Sequence, residues 1–273
     1  MKLVIFQHKV NTDKAKSLEI LERKLSETDL TGVDLVVLPE MWACPYETDK
    51  FPEYAESRDG FLSQGMAALA KKHGVYLVGG SLPENDGGRI YNTSFVYDRE
   101  GRLIARHRKM HLFDIAVEGG QHFRESDTLT AGDEVTVFET DHGRVGLCIC
   151  YDFRFPELAR QMALLGAEVI LVPAAFNMTT GPAHWELLFR QRAVDNQVYC
   201  VGCAPARDLT ASYTSWGHSL ITDPWGNVVL EAEEEEGVLT ATLDPDMIRC
   251  VREQLPLLKH RRTDVYKNFD RRD

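Results

Sequence analysis

Residues 144–157 read Arg-Val-Gly-Leu-Cys-Ile-Cys-Tyr-Asp-Phe-Arg-Phe-Pro-Glu. The apolar run predicts a buried strand over 144–150, and the spacing of Leu158 and Met162 predicts a helix over about 156–166. A strand followed directly by a helix is typical of α/β folds, in which ligands gather beyond the carboxyl ends of the strands. Cys150 stands at such an end, so this stretch predicts an α/β fold with a candidate nucleophile in its site.

Two more candidate strands end in ionisable residues. Glu40 follows Leu-Val-Val-Leu-Pro at 35–39, and Lys109 follows Leu-Ile-Ala-Arg-His-Arg at 103–108. Taken singly, each residue fits a solvated strand end, and the cysteine fits a core position. A thiol, a carboxylate and an ammonium at three strand ends are, however, the set that a cysteine amide hydrolase needs.

Strand and helix patterns alternate along the chain. Helices are predicted after the N-cap candidates at 11–13, with Leu18, Leu21 and Leu25 on one face, and over about 61–73, 156–166 and 184–196. Strands are predicted at 2–8, 34–39, 75–81, 90–97, 102–111, 144–150, 168–173, 198–204, 216–222, 227–232 and 237–243. We find no repeat or linker, so we expect a single α/β domain over residues 1–273. The basic tail, about 256–273, is expected to pack on the core or on a partner subunit.

Composition narrows the classes of function. The 273 residues carry a formal net charge of −11, which disfavours a nucleic-acid or anionic-membrane partner. The apolar start is too short for a signal peptide, and no apolar run reaches the roughly 18 residues of a membrane span. Six cysteines without regular spacing favour a reducing compartment. We therefore expect a soluble, cytoplasmic protein.

Several residue pairs have both a functional and a structural interpretation. Cys200 and Cys203 form a C-x-x-C pair inside a strand-like run, where they face opposite sides, so we interpret them as core thiols. Cys148 is expected in the core, deeper along the strand than Cys150. His107 and His111 have the spacing of a helical metal pair, but their segment is predicted as a strand, so no metal site is expected.

Three segments resemble the carbon–nitrogen hydrolase, or nitrilase, superfamily. They are Leu-Pro-Glu-Met at 38–41, Arg-Lys-Met-His-Leu-Phe at 108–113 and the run from Gly146 to Glu157, and the likeness extends over residues 2–266. The chain is most similar to the ω-amidase branch, through stretches at 51–56, 79–84, 111–115, 175–188 and 192–199. The resemblance implies a four-layer α-β-β-α sandwich, a homodimer or larger homo-oligomer, and no metal or organic cofactor.

The chemistry follows from the residue types. A free thiol is only a few per cent thiolate at neutral pH, so Cys150 needs the Lys109 ammonium to favour the thiolate and Glu40 to accept the proton. The Tyr151 backbone N–H and Lys109 are the expected oxyanion donors. The resemblance further implies that Glu125 is a second active-site carboxylate that positions Lys109 or water. Without the resemblance, Glu125 would be interpreted as a residue of a surface loop.

The resemblance also implies a substrate class: short dicarboxylates with one end as an amide, such as 2-oxoglutaramate and 2-oxosuccinamate. The candidates for binding the substrate carboxylate are Tyr46, Arg154, Thr179, Thr180 and His184. Arg154 could instead pair with Asp152 or Glu157, the threonines could only shape their loop, and His184 could cap a helix or hold the loop. A deaminated-glutathione amidase, a carbamoyl-amide hydrolase, a nitrilase and a catalytically silent binding subunit remain alternatives.

Overall fold

The computed structural model describes residues 1–118 and 121–266. The first half of the chain contains β1 (Lys2–Gln7), α1 (Lys14–Glu27), β2 (Leu35–Val37), α2 (Phe51–Tyr54), α3 (Phe61–His73), β3 (Tyr76–Val78), β4 (Leu82–Asp86), β5 (Arg89–Tyr97), β6 (Leu103–Arg108), β7 (Asp114–Ala116) and β8 (His122–Arg124). The second half contains β9 (Thr136–Thr140), β10 (Gly143–Leu147), α4 (Pro156–Leu164), β11 (Val169–Pro173), α5 (Gly181–Asn196), β12 (Tyr199–Cys203), β13 (Leu220–Thr222), β14 (Val228–Glu231), β15 (Gly237–Thr242) and α6 (Pro245–Gln254).

Two sheets form the centre of the molecule. One has the order β15-β1-β2-β3-β5-β4, with β6 also paired to β5, and the other has the order β14-β13-β12-β11-β10-β9. Strands β1, β2 and β3 run parallel, as do β10, β11 and β12. The parallel strands are apolar on both faces because both faces of each sheet are covered.

Alternating side chains of each strand enter different layers of the core. In β1, Leu3 and Ile5 pack with Val145 and Leu147 of the other sheet, which makes the layer between the sheets. The opposite face of the first sheet packs against Leu21, Leu25, Leu62 and Met66 of α1 and α3. The opposite face of the second packs against Leu158, Met162, Trp185 and Phe189 of α4 and α5. The predicted four-layer α-β-β-α sandwich is confirmed.

Most of the predicted elements are present within a few residues of their predicted bounds. Helix α1 begins after Asp13, whose side chain accepts a hydrogen bond from the Lys16 N–H at 3.1 Å. Helix α5 begins three residues earlier than predicted, with Pro182 in its first turn, where a missing N–H costs nothing. Six elements were not predicted: α2, β4, β7, β8, β9 and α6. Strands β7 and β8 have three residues each, and α6 buries only Ile248 and Val251.

The cysteines follow the core predictions. Cys148 and Cys200 lie in the layer between the second sheet and its helices, whereas Cys203 lies between the two sheets. The opposite orientation predicted for Cys200 and Cys203 is therefore confirmed, and all six cysteines are free thiols. The packing of the tail stays a prediction, since residues 267–273 lie outside the described part of the chain.

Gly80 holds the backbone that leads into the site. Its φ of +57° is in the left-handed region, and a Cβ there would collide with the carbonyl oxygen of Pro39, the residue before Glu40. Only glycine therefore fits between the end of β3 and the Glu40 segment.

We expect Gly80→Ala to lower the free energy of unfolding by about 3 kcal/mol, by combining left-handed strain with overpacking against backbone. Gly87→Ala is the matched control, because Gly87 has a φ of +60° and no atom lies within 4 Å of the position that its Cβ would take. That control should lose only about 1 kcal/mol. Urea unfolding of both variants measures the difference, and equal losses would contradict the proposed close contact.

Candidate active site

The Lys109 ammonium lies in a fully buried cluster with two carboxylates. Its Nζ donates to Glu40 Oε1 and to Glu125 Oε1, each at 3.0 Å, and to the Tyr46 hydroxyl at 3.2 Å. Neither Lys109 nor either glutamate has any exposed surface. Because an ammonium has three hydrogens, these three acceptors satisfy it completely. Buried charges need such pairing, so the cluster fixes the position of each member.

Glu40 follows β2 and is held by contacts from both sheets. Its Oε1 accepts a hydrogen bond from Asn92 Nδ2 in β5 at 2.9 Å, and its Oε2 accepts one from the Ala175 N–H after β11 at 2.8 Å. Burial raises the pKa of Glu40, and the charge of Glu125 adds to this, while Lys109 opposes it without cancelling it. A raised pKa brings the carboxyl closer to neutral pH, where it can both accept and donate a proton.

Glu125 lies in the short 3-10 turn Glu125–Asp127 and is tied on both oxygens. Its Oε1 accepts from Lys109 and from the Tyr46 hydroxyl, the latter at 2.7 Å, and its Oε2 accepts from the Phe113 N–H at 2.7 Å. The alternative interpretation as a surface residue is wrong, because the carboxylate is fully buried. Burial lowers the pKa of Lys109, but the charges of Glu125 and Glu40 outweigh it and raise the pKa overall.

Cys150 opens the 3-10 turn Cys150–Arg154 directly after β10 and is 5% exposed. Its φ of +47° is in the left-handed region, which costs about 1–2 kcal/mol for a residue with a Cβ. The thiol lies near enough to Glu40 for each group to shift the pKa of the other. Burial, and then the charge of Glu40, raise the pKa of Cys150, and the opposing effect of Lys109 is smaller. Lys109 favours the thiolate, as expected, but burial and Glu40 outweigh its effect, so the pKa of the thiol is raised overall.

A cavity of about 200 Å³ reaches Glu40 from the surface. Its inner wall includes Tyr46, Ala175 and Tyr213, and the Tyr213 hydroxyl donates to the Ala175 carbonyl oxygen at 2.5 Å. The Tyr213 ring packs on the Tyr46 ring with centroids 4.6 Å apart.

Asn92, Tyr213 and the Ala175 N–H were not predicted as site groups. Each reaches the site only through the folding of distant segments, so no local pattern marks it.

The predicted substrate-binding residues divide into three groups. Tyr46 is buried in the carboxylate cluster. Thr180 donates from its hydroxyl to Asn177 Oδ1 at 3.0 Å, and Thr179 is an exposed residue of the same loop. The Arg154 guanidinium contacts the His184 ring at 3.0 Å. The substrate contacts themselves stay predictions.

Arg154 carries a charge with no acidic partner near it. In residues 1–118 and 121–266, no carboxylate oxygen lies within 4 Å of its guanidinium, so the alternative of an ion pair with Asp152 or Glu157 is wrong. The guanidinium stacks over the Phe176 ring at 4.5 Å, and its charge acts on Cys150 and Tyr213. An unpaired cation at the edge of the site is suited to bind an anionic ligand.

Comparison with known proteins gives consistent matches over the whole chain. The family model described as "Carbon-nitrogen hydrolase" matches residues 3–253. A Danio rerio protein named "Omega-amidase NIT2" is 49% identical over 97% of this chain and 96% of its own length, and the Xenopus tropicalis protein of that name is 47% identical over the same shares. The crystal structure of Saccharomyces cerevisiae Nit3, described as a member of branch 10 of the nitrilase superfamily, superposes with a TM-score of 0.87 at 43% identity, over 96% of both chains.

The raised pKa of Cys150 predicts how its alkylation depends on pH. Below its pKa the thiol is protonated, so the rate constant with iodoacetamide should rise roughly tenfold per pH unit between about pH 6 and pH 9, without a plateau. A Cys250→Ser background removes the exposed thiol, and peptide mass spectrometry assigns the modified residue. A plateau beginning below neutral pH would mean that Cys150 rests as a thiolate.

Proposed function

The chain belongs to the carbon–nitrogen hydrolase family, and we propose that it is a cysteine-dependent ω-amidase. Its substrates are short dicarboxylates with one end as an amide, such as 2-oxoglutaramate and 2-oxosuccinamate. The products are 2-oxoglutarate or oxaloacetate, with ammonia. The main support is the buried cluster of Lys109 with Glu40 and Glu125 beside the Cys150 thiol. The relatives named ω-amidase, which match almost the whole chain, favour this substrate class.

In the first half of the reaction, Glu40 takes the proton of the Cys150 thiol as the sulfur attacks the amide carbon. The carbon–oxygen π electrons move to oxygen and give a tetrahedral oxyanion. When this intermediate collapses, the carbon–nitrogen bond breaks and the nitrogen takes the proton from Glu40, so that ammonia leaves and a thioester remains. The raised pKa of Glu40 suits both transfers, because the group must first bind the proton and then release it.

In the second half, Glu40 removes a proton from water, which attacks the thioester carbon. The second oxyanion collapses with cleavage of the carbon–sulfur bond, and the departing sulfur regains the proton from Glu40. The carboxylic acid product leaves, and the resting thiol is restored. One carboxylate therefore serves both steps, while Glu125 keeps the Lys109 ammonium in place.

The oxyanion is assigned to the Tyr151 N–H and the Lys109 ammonium. At rest, all three hydrogens of Lys109 are engaged, two by carboxylates and one by the Tyr46 hydroxyl at 3.2 Å. The contact with the neutral hydroxyl is the longest and the weakest electrostatically, so it is the one that the oxyanion replaces. This gives Lys109 a stronger interaction in the transition state than in the ground state, as catalysis requires.

Arg154 is assigned to the far carboxylate of the substrate. In the described ranges its guanidinium has no carboxylate partner, and the half-buried group contacts His184 and Phe176. A planar guanidinium binds a carboxylate through two parallel hydrogen bonds, which fixes the distance between that group and the scissile carbon. Thr179, Thr180 and His184 are proposed to complete this end of the pocket, and Tyr46 to contact the amide end.

We also propose a homodimer or larger homo-oligomer located in the cytoplasm. Large apolar side chains are exposed at the end of α4 and along α5, at Leu165, Leu187 and Val194, as an interface between subunits would use. No helix in the described ranges is long and apolar enough to cross a membrane. Both statements on assembly and location stay predictions.

A substrate panel tests the proposed function. Ammonia release should give the highest kcat/KM on 2-oxoglutaramate or 2-oxosuccinamate, compared with a carbamoyl amino acid, deaminated glutathione and a simple nitrile. Cys150→Ala should reduce ammonia release to background because the nucleophile is gone. The control, Cys148→Ser, should lose about 1–3 kcal/mol of stability through its buried hydroxyl but keep most of its turnover.

A preference for nitriles would overturn the amidase assignment. A folded but inactive Cys148→Ser protein, together with an active Cys150→Ala protein, would reverse the roles of the two thiols.

Arg154→Gln should separate anionic from neutral substrates. Loss of a charged hydrogen bond of about 1.5–3 kcal/mol corresponds to a KM for 2-oxoglutaramate that rises by roughly 10- to 150-fold. The kcat/KM for a small neutral amide should stay nearly constant. The matched control is Arg190→Gln, which changes an exposed arginine of α5 that pairs with Glu186. An equal loss on both kinds of substrate would remove Arg154 from carboxylate recognition.

A further inference from the structure

Asp152 is a fully buried carboxylate that accepts five hydrogen bonds. Its Oδ1 accepts from the Met110 N–H at 3.0 Å, the His111 N–H at 2.8 Å and the His111 ring at 2.8 Å. Its Oδ2 accepts from the Ile149 N–H at 3.1 Å and the His107 ring at 2.9 Å. Every lone-pair direction of the carboxylate is used, so it has no capacity left to bind substrate.

The five donors come from two segments that carry the reacting groups. Met110 and His111 directly follow Lys109, and Ile149 directly precedes Cys150. Strand β6, which leads to Lys109, belongs to the seven-stranded sheet, whereas β10, which leads to Cys150, belongs to the six-stranded sheet. Most of the contact between the two sheets is an apolar layer, which does not fix a position along the strands in the way that directional hydrogen bonds do. Other polar links between the sheets include the Ala175 N–H to Glu40 and His107 to Thr136.

Resting on the proposed function, we propose that Asp152 is a positioning residue that fixes the Cys150 turn against the Lys109 segment across the two sheets. Asp152 touches neither the thiol nor the ammonium. It acts through the backbone on both sides of the site, and so it sets the distance between the nucleophile and the Glu40–Lys109–Glu125 cluster.

The Cys150 turn needs such support because its backbone is strained. Cys150 has a φ of +47°, and the turn is closed by two contacts of Asp152 with Ile149: the side chain accepts from the Ile149 N–H, and the Asp152 N–H donates to the Ile149 carbonyl oxygen at 3.0 Å. Burial alone would raise the pKa of Asp152, but hydrogen bonds from His107 and His111 outweigh it and hold the pKa well below its usual range. The carboxylate therefore keeps its charge at neutral pH.

Asp152→Asn preserves the volume of the side chain but not its acceptor pattern. An amide has one acceptor oxygen and one NH₂ group. The NH₂ group must therefore meet N–H donors, either those of the Lys109 segment or that of the Cys150 turn, and no hydrogen bond can form there. The variant should therefore loosen one segment while the other stays held. A shift of about 1 Å in the reacting groups costs about 10²-fold in rate.

For Asp152→Asn we expect kcat on the best ω-amide to fall about 10²-fold, with KM changed little because the substrate pocket is intact. Alkylation of Cys150 by iodoacetamide should speed up at neutral pH, because Glu40, whose charge raises the pKa of the thiol, no longer lies beside it. This second measurement needs no substrate. It therefore stays informative if the chain hydrolyses none of the ω-amides. That result would refute the proposed function but not the positioning role of Asp152.

Asp98→Asn is the matched control. Asp98 is also buried, accepts from the Glu100 N–H, the Arg102 N–H and the Arg102 side chain, and lies at the opposite end of the β5–β6 hairpin from Lys109. At about 3.4 Å per residue, the two ends are roughly 20 Å apart. Asp98→Asn should lower the melting temperature while kcat and Cys150 alkylation stay close to those of the unchanged protein.

Two results would overturn the proposal: unchanged kcat and alkylation in folded Asp152→Asn, or equal losses of kcat in both variants at equal losses of melting temperature. If Asp152→Asn does not fold, His107→Leu decides, because it removes the donor to Oδ2, together with the contact to Thr136, and leaves the backbone contacts of Asp152 in place. Lower kcat with unchanged KM would support the positioning role, and unchanged kcat would overturn it.

Discussion

Burial of the Lys109 ammonium is the constraint on which the site depends. A charge with no exposed surface is tolerated only when its hydrogens are paired, and here Glu40, Glu125 and Tyr46 provide the three acceptors. Two carboxylates around one ammonium leave a net negative charge. This charge disfavours ionisation of the neighbouring Cys150 thiol and so raises its pKa. The cluster that is needed to hold Lys109 therefore also sets the protonation states of Glu40 and Cys150.

The two-sheet architecture makes this cluster possible. Glu40 and Lys109 come from the seven-stranded sheet and Cys150 from the six-stranded sheet, so the site exists only when the sheets are correctly aligned. Two polar links cross between them at the site: the Ala175 N–H to Glu40, and Asp152 to the segment after Lys109. The apolar layer between the sheets supplies most of the stability, and the polar links supply the alignment.

The sequence predicts the parts of this arrangement that have a local signal. Apolar runs locate the central strands, and Glu40, Lys109 and Cys150 stand out because they follow such runs. Glu125 has no such signal, and only the family resemblance pointed to it. Asn92 and Asp152 were missed because the partners that tie them to the site, Glu40 and His111, lie 40 or more residues away in sequence. Helix α6 and strands β7 and β8 were missed because they bury too few side chains to produce a pattern.

The protonated state of Cys150 has a consequence outside the reaction cycle. Peroxides attack the thiolate form of cysteine to give a sulfenic acid, and further oxidation to sulfinic and sulfonic acids is irreversible. Because burial and the charge of Glu40 raise the pKa of the Cys150 thiol, oxidants meet little thiolate at neutral pH.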